Sequence, residues 1–365
     1  MRIGIDVREL CGRPTGVGRY LTGLLTEWAA DERARRHEFL LYAPEPIAMA
    51  LDARRFPTRL VSGHPGTWWE QVRLPRAAES DHVDVWFAPA YTAPLRLRIP
   101  TVVAIHDLSY VAHPEWFHVR EGARRRWLVG RAAAGARAVI TISEFSKREL
   151  VERLGVPAHR VRVIPPGVEA GGWRLEARKE TEFSLHRVLY VGSIFNRRHV
   201  PDLIRAFGPI ARSRSDVALD IVGDNRTYPR EDLRRTIESE GLQTIVQWHE
   251  YISDDQLRHL YAQARGFAFL SEYEGLGLTP LEALATGVPA VLLDTPVARE
   301  SCGDAALYVP VSDLPAITRA IETMLFDEAV RTRLLAAAPA VLARYAWPRA
   351  ARETLAVLES AGPVA

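Results

Sequence analysis

The run Gly266-Phe267-Ala268-Phe269-Leu270 leads directly into Ser271-Glu272-Tyr273-Glu274-Gly275-Leu276-Gly277-Leu278-Thr279-Pro280-Leu281-Glu282-Ala283-Leu284-Ala285-Thr286-Gly287-Val288-Pro289. The first five residues are apolar throughout, as in a short strand buried on both faces. Thr279 then reads as a helix N-cap, Pro280 as its first residue and Gly287 as its stop. A helix of about two turns between two apolar strands is the repeating unit of a parallel sheet. Its free N–H groups and positive end face the carboxyl ends of the strands, where open parallel sheets bind ligands. Glycines in the approach let the backbone come close to a bound group.

The same alternation extends in both directions. Apolar runs at Ile3–Val7, Phe39–Tyr42, Val83–Phe87, Thr101–Ile105, Ala138–Ile142 and Val161–Ile164 form one series of strands. A second follows Gly171-Gly172: Val188–Val191, Ala218–Val222, Ile245–Trp248, Gly266–Leu270 and Pro289–Leu293. Helical patterns separate the runs. Two such series imply an α/β protein of two doubly wound, Rossmann-like domains, over 1–170 and 171–346. The linker is expected between Pro165 and Glu182, and an amphipathic helix from Trp347 to about Leu358.

Two carboxylates flank the predicted helix start. Glu274 precedes it and Glu282 lies in its first turn. They repel phosphates but can accept hydrogen bonds from sugar or ribose hydroxyls. Thr279-x-x-Glu282 is equally a capping box, a structural device, and Glu274 equally a solvated loop acid. After the run ending at Val191 come Gly192-Ser193-Ile194-Phe195-Asn196-Arg197-Arg198, a loop whose cations can neutralise a leaving diphosphate. His106-Asp107 ends another strand, where His106 can serve chemistry or structure and Asp107 can cap the next segment. Ser143 reads as a helix cap.

Glu274-x(7)-Glu282, within Glu-Gly-Leu-Gly-Leu-Thr-Pro-Leu-Glu, resembles the signature of the retaining glycosyltransferases of family four, whose fold is called GT-B. The resemblance implies an active site in the cleft between two Rossmann-like domains. It implies that Glu274 contacts the donor sugar, that Glu282 holds the ribose, and that backbone at Gly275, Leu276, Gly277 and Leu278 reaches the sugar and diphosphate. Ser193, Arg197 and Arg198 match the donor-phosphate loop, with Arg198 where relatives usually carry Lys. His106 matches a histidine near donor sugar and acceptor. Gly16 and Gly18, in Thr15-Gly16-Val17-Gly18-Arg19-Tyr20, match the N-terminal glycine loop. Ile252, in His249-Glu250-Tyr251-Ile252-Ser253-Asp254, matches the base-binding loop. The tail around Trp347 resembles the helix that crosses back onto the first domain.

Composition narrows the alternatives. Cys11 and Cys302 are the only cysteines, which excludes a disulfide framework or a zinc site rich in Cys. Lys147 and Lys179 are the only lysines, and neither sits in a cleft motif, which argues against pyridoxal-phosphate chemistry. No Asp-x-Asp motif or cofactor signature is present, so no metal or cofactor is expected. Residues 1–170 carry 25 basic and 19 acidic side chains, against 22 and 26 in the remainder. That imbalance favours anionic partners in the first half without amounting to a nucleic-acid site. The segment 120–137, with Arg120, Arg124, Arg125, Arg126, Arg131 and Arg137, reads either as a peripheral membrane contact or as a solvated helix face.

The sum is a cytoplasmic enzyme, in contact with the inner membrane face if that segment binds lipid. It is expected to move a sugar from GDP-mannose or a UDP-sugar to a saccharide or lipid-linked acceptor. A sugar-nucleotide epimerase on the same fold and a non-catalytic partner subunit are the alternatives.

Overall fold

The computed structural model describes residues 1–12, 16–168 and 185–363. Gly171-Gly172, Thr15 and most of the linker expected from Pro165 to Glu182 lie outside the described residues. The chain forms two compact units, Met1–Gly167 with Tyr345–Ala365, and Val168–Arg344.

The first unit carries a seven-stranded sheet: β1 Arg2–Asp6, β2 Glu38–Ala43, β3 Thr58–Leu60, β4 Val85–Ala88, β5 Thr101–Ala104, β6 Ala138–Thr141 and β7 Val161–Val163. Their spatial order is β3-β2-β1-β4-β5-β6-β7, and every pairing is parallel. Strand β4 shows why its sequence lacks alternation. Val85 and Phe87 join one apolar cluster while Trp86 and Ala88 join another, so helices cover both faces. The helix Trp347–Ala361 belongs to this unit: Leu355 and Leu358 enter the cluster around β1, and Trp28 Nε1 donates to Ala351 O at 2.9 Å. Burying each such leucine stabilises the unit by roughly 1.5–3 kcal/mol.

The second unit has six parallel strands: β8 His186–Val191, β9 Val217–Val222, β10 Val246–His249, β11 Ala264–Phe269, β12 Ala290–Leu293 and β13 Ala306–Val309. Their order is β10-β9-β8-β11-β12-β13. The order reverses between β8 and β11, and in the first unit between β1 and β4. Ligand crevices of open α/β sheets form outside the strand ends at such reversals.

Strands β3 and β13 are absent from the expectation drawn from sequence. Both are short edge strands. All three residues of β3 are exposed, so no apolar run marks it.

Candidate active site

At the reversal of the second sheet, the loops after β8 and β11 meet. Gly192 follows β8 with φ +144°, and a Cβ there would lie 2.8 Å from Arg198 Nη1. Only glycine lets Arg198 fold back over the strand end. Arg198 Nη1 donates to Ser193 O at 2.7 Å and its Nε donates to Glu274 Oε1 at 2.8 Å, with Nη2 2.7 Å from the same oxygen. Ser271 Oγ also donates to that Oε1, at 2.8 Å. Glu274 Oε2 takes no donor from the described residues. The Arg198 guanidinium lies 5.0 Å over the Phe269 ring, which Tyr190 stacks against. Burial opposes the charge of Arg198, but Glu274 outweighs it and holds the guanidinium pKa above its ordinary value. Burial pushes the Tyr190 phenol up to about 12, so it stays a neutral donor to Ser193 O.

Three further contacts join the two loops. Glu272 N donates to Arg197 O at 2.9 Å, and Arg197 Nε to Tyr273 O at 3.3 Å. Arg197 also lies 4.3 Å over the Phe195 ring, so it is not simply a solvated loop cation. His199, in the left-handed region at φ 45°, joins Glu272 through Nε2 and Asp202 through Nδ1, the latter at 3.2 Å. The hydrogen bond to Asp202 raises the imidazole pKa; burial opposes it and Glu272 adds to it.

The helix beyond Glu274 departs from the expectation at its start. It spans Leu278–Ala285, its N-cap is Gly277 at φ +84°, and no side chain caps it. Thr279 is therefore the second helical residue and not the cap, Pro280 the third and not the first, and Glu282 lies beyond the first turn. The capping box Thr279-x-x-Glu282 is not formed. The reason is Gly277, whose positive φ turns the chain into the helix two residues earlier. The first-turn N–H groups must then be satisfied from outside the helix. The other end follows the sequence: Gly287, at φ +76°, donates to Leu284 O at 3.0 Å, and Val288 N donates to Ala283 O at 2.9 Å. Tyr273 and Leu276 anchor the intervening loop in the core, and Gly275 is buried beside them. Ile252 lies in the irregular stretch after β10, just before the helix Asp254–Gln263. That helix does carry a capping box, formed by Ser253 and Gln256.

In the first unit, His106 follows β5 and is buried. Its Nε2–H donates to Pro89 O at 2.8 Å, and the edges of Tyr20 and Tyr91 approach the ring at centroid distances of 4.8 and 5.5 Å. Burial lowers its pKa, so it is a neutral imidazole with an acceptor lone pair on Nδ1. Asp107 accepts from Tyr91 OH and from the backbone and hydroxyl of Ser109, a structural role. Ser143 caps the helix Glu144–Leu154. Gly16 opens the helix Gly16–Ala30, Gly18 lies in its first turn, and Tyr20 carries that helix to His106.

One cluster escaped the sequence reading. Arg8, just after β1, is paired with Asp6 and with Glu70, the latter at 2.9 Å, and Thr92 Oγ1 donates to Glu70. Asp6 closing an apolar strand was the available signal. Among the described residues, no group of three or more His, Cys, Asp or Glu side chains is arranged to hold a metal ion, and no helix is long and apolar enough to cross a membrane.

Residues 176–341 match the family described as glycosyl transferases group 1, and residues 14–171 match glycosyltransferase family 4. The chain is a GT-B glycosyltransferase of family four. Chains similar to this glycosyltransferase include O-antigen chain mannosyltransferase B of Escherichia coli, 25% identical over 280 residues, covering 74% of this chain and 73% of that one. Another is the GDP-mannose-dependent alpha-(1-6)-phosphatidylinositol monomannoside mannosyltransferase of Mycolicibacterium smegmatis, 28% identical, covering 86% of this chain and 87% of that one. Among solved structures, HepE of Anabaena in complex with UDP and glucose shares the fold with a TM-score of 0.76 at 20% identity, over 99% of this chain and 100% of the other.

Proposed function

We propose that this glycosyltransferase moves mannose from GDP-mannose to a hydroxyl of a saccharide or lipid-linked acceptor in the cytoplasm, with retention of anomeric configuration and without a metal. A UDP-sugar is the second candidate donor. The observation that carries the reading is the Arg198–Glu274 pair at the reversal of the second sheet. Each is the other's counter-ion. A diphosphate arriving there replaces Glu274 on Arg198, and Glu274 is released to accept a hydrogen bond from a sugar hydroxyl.

Arg197, the uncapped start of the helix Leu278–Ala285 and the backbone of Gly275, Leu276, Gly277 and Leu278 complete the anion-stabilising set. Glu282 takes the ribose, backbone at Ser193 and Ile252 borders the diphosphate and base, and Gly16 and Gly18 serve the acceptor side. His106, neutral and aimed by Pro89 O, offers Nδ1 as an acceptor beside the reacting sugar. The leaving phosphate itself can take the proton of the acceptor hydroxyl, so no protein base is required. The mannosyltransferase names of the relatives support mannose over other sugars.

A thermal-shift panel of GDP, UDP and ADP sugars tests the reading. One member at a hundredfold excess over Kd adds about 2.7 kcal/mol of stability, and GDP-mannose gives the largest shift. A panel in which no nucleotide raises the melting temperature or releases heat on titration removes the proposal.

A further inference from the structure

Two tyrosine rings bear on His106, Tyr20 at an interplanar angle of 71° and Tyr91 at 80°. Tyr91 follows β4 in the left-handed region, at φ 68°. A bulky aromatic residue rarely occupies that region, and it persists only where its surroundings over-determine it. They do so here. Tyr91 N donates to Ala104 O at 2.9 Å, its hydroxyl donates to Asp107 Oδ2 at 2.9 Å, and Arg125 lies 5.1 Å over its ring. Ala104 ends β5 and Asp107 follows His106, so Tyr91 grips the chain on both sides of the histidine. Pro89, two residues before Tyr91, supplies the carbonyl that takes Nε2–H. One short segment therefore fixes both the hydrogen bond of the imidazole and one of its neighbouring rings.

Tyr20 is held differently. It lies in the helix Gly16–Ala30, and its hydroxyl, beside Thr354, closes no hydrogen bond among the described residues. Packing places the ring instead. Trp347, which opens the C-terminal helix, lies 6.4 Å from it between centroids. A Cβ on Gly23 would lie 2.6 Å from the Trp347 ring, and one on Gly167 2.3 Å, so Trp347 fills a slot that two bare glycines leave open. Gly23 is three residues on from Tyr20, on the same helix face. With Trp347 seated there, Tyr20 has little room to withdraw from His106.

A neutral imidazole can carry its proton on either nitrogen, and the hydrogen bond on offer decides which. A ring free to tilt would lose Pro89 O as the deciding acceptor. We propose that Tyr20 and Tyr91 are positioning residues that brace the His106 ring, so that Pro89 O selects the Nε2–H tautomer and Nδ1 is held as the acceptor beside the sugar. The use of Nδ1 rests on the donor reading above; the brace itself does not.

Magnetic resonance of the full chain, labelled with nitrogen-15 on its histidine side chains, reads the tautomer directly. The His106 signals are identified by their loss in His106→Gln. Tyr20→Leu removes one ring from an ordinary helical position, and Tyr91→Asn removes the other while accepting φ 68°. The wild type shows the Nε2–H tautomer alone, and each variant shows a mixture. The kcat for sugar transfer falls roughly tenfold in each, as for a misplaced group rather than a missing one, and the Kd of the nucleoside diphosphate stays within about twofold. Tyr20→Phe and Tyr91→Phe keep the rings, and with them the single tautomer and most of the rate. Each position tests the brace by itself, so a variant that fails to fold leaves the other to decide. A single tautomer in the ring-loss variants overturns the proposal, whether or not kcat falls. So does a mixture in the Phe variants as large as in Tyr20→Leu and Tyr91→Asn. Failure of the donor reading looks different: mixed tautomers with an unchanged kcat uphold the brace and remove His106 from transfer.

Discussion

Each sheet reverses its strand order once, and each carries an arginine–carboxylate cluster there, but the two clusters are balanced differently. Between β1 and β4, one cation, Arg8, serves two carboxylates, Asp6 and Glu70, whose side chains are 2% and 3% exposed. Burial opposes the charge of Arg8, and the two carboxylates outweigh it, so its pKa lies above its ordinary value. Between β8 and β11, Arg198 is paired with a single carboxylate, Glu274, and the two side chains are 13% and 17% exposed. The first cluster is closed and internally satisfied. The second has one acid, more exposed than either acid of the first, with an oxygen that takes no donor from the described residues. The difference separates a pair that holds a fold from a pair that can exchange partners with a ligand.

The largest effects distinguish the two directly. Arg8→Ala leaves two buried carboxylates without a cation and costs about 3–5 kcal/mol of stability. Arg198→Ala leaves Glu274 with Ser271 Oγ and water, so it costs about 1 kcal/mol or less. The functional consequences run the other way: Arg198→Ala cuts sugar transfer on the order of 10²-fold, as for loss of one transition-state donor. Denaturant unfolding of both variants, alongside transfer rates under conditions where both remain folded, checks the contrast. If Arg198→Ala unfolds the protein while Arg8→Ala is neutral, the assignment of the two clusters is reversed.

How far these clusters could be read from sequence follows from what each leaves in the local pattern. The apolar runs of both sheets are continuous because helices cover both faces, so eleven strands stand out, whereas the exposed edge strand β3 has no such run. Arg198 and Glu274 follow strands β8 and β11 within motifs that mark them. Glu70 lies in the helical segment Trp69–Arg73, far from Arg8 in sequence, so nothing local announces their pairing. The helix start is hidden for a related reason. Thr279-Pro280 carries good first-turn chemistry, but the left-handed Gly277 sets where the turn begins, and a dihedral angle is not visible in residue type alone. The inward packing of Arg125 and Arg126 was similarly hidden by their resemblance to their exposed neighbours.

The two carboxylates of the signature show the same contrast at a smaller scale. Glu282→Gln removes the charge of the proposed ribose contact and weakens nucleoside diphosphate binding by about 1 kcal/mol, roughly fivefold. Glu274→Gln acts in the opposite sense. It removes the anion that competes with the diphosphate for Arg198, so the diphosphate alone binds about fivefold more tightly, near the upper value of a partly exposed ion pair. Transfer of the sugar nevertheless falls, because the hydroxyl acceptor has lost its charge. Calorimetry with GDP and UDP, run beside transfer assays, measures both. Weaker diphosphate binding by Glu274→Gln removes the partner exchange from the mechanism.

The smallest effect lies one residue beyond Arg198. His199 ties the two loops through Asp202 and Glu272, while Arg205 shares Asp202 at 2.9 Å. Its pKa is raised in the folded protein, so the imidazolium is favoured there. Such a group contributes stability fully below its unfolded pKa of about 6.5 and loses it as pH rises through the higher folded value. Asp202, lowered first by its hydrogen bond to His199, contributes above its unfolded pKa and loses that contribution in acid as pH falls through the folded value. The tie is therefore strongest in the mildly acidic range between the two. His199→Asn tests this without disturbing the backbone, because Asn tolerates the left-handed conformation at φ 45°. The wild type should exceed the variant in stability by up to about 1 kcal/mol near pH 6, the modest size of partly exposed pairs, and the difference should shrink toward about pH 9. The Arg8 cluster contains no histidine, so the same titration should leave the stability cost of Arg8→Ala flat. Thermal melts of the wild type and both variants across this range make the comparison. A His199→Asn difference that does not change with pH means that His199 acts there through packing alone, and that the second cluster is as insensitive to protons as the first.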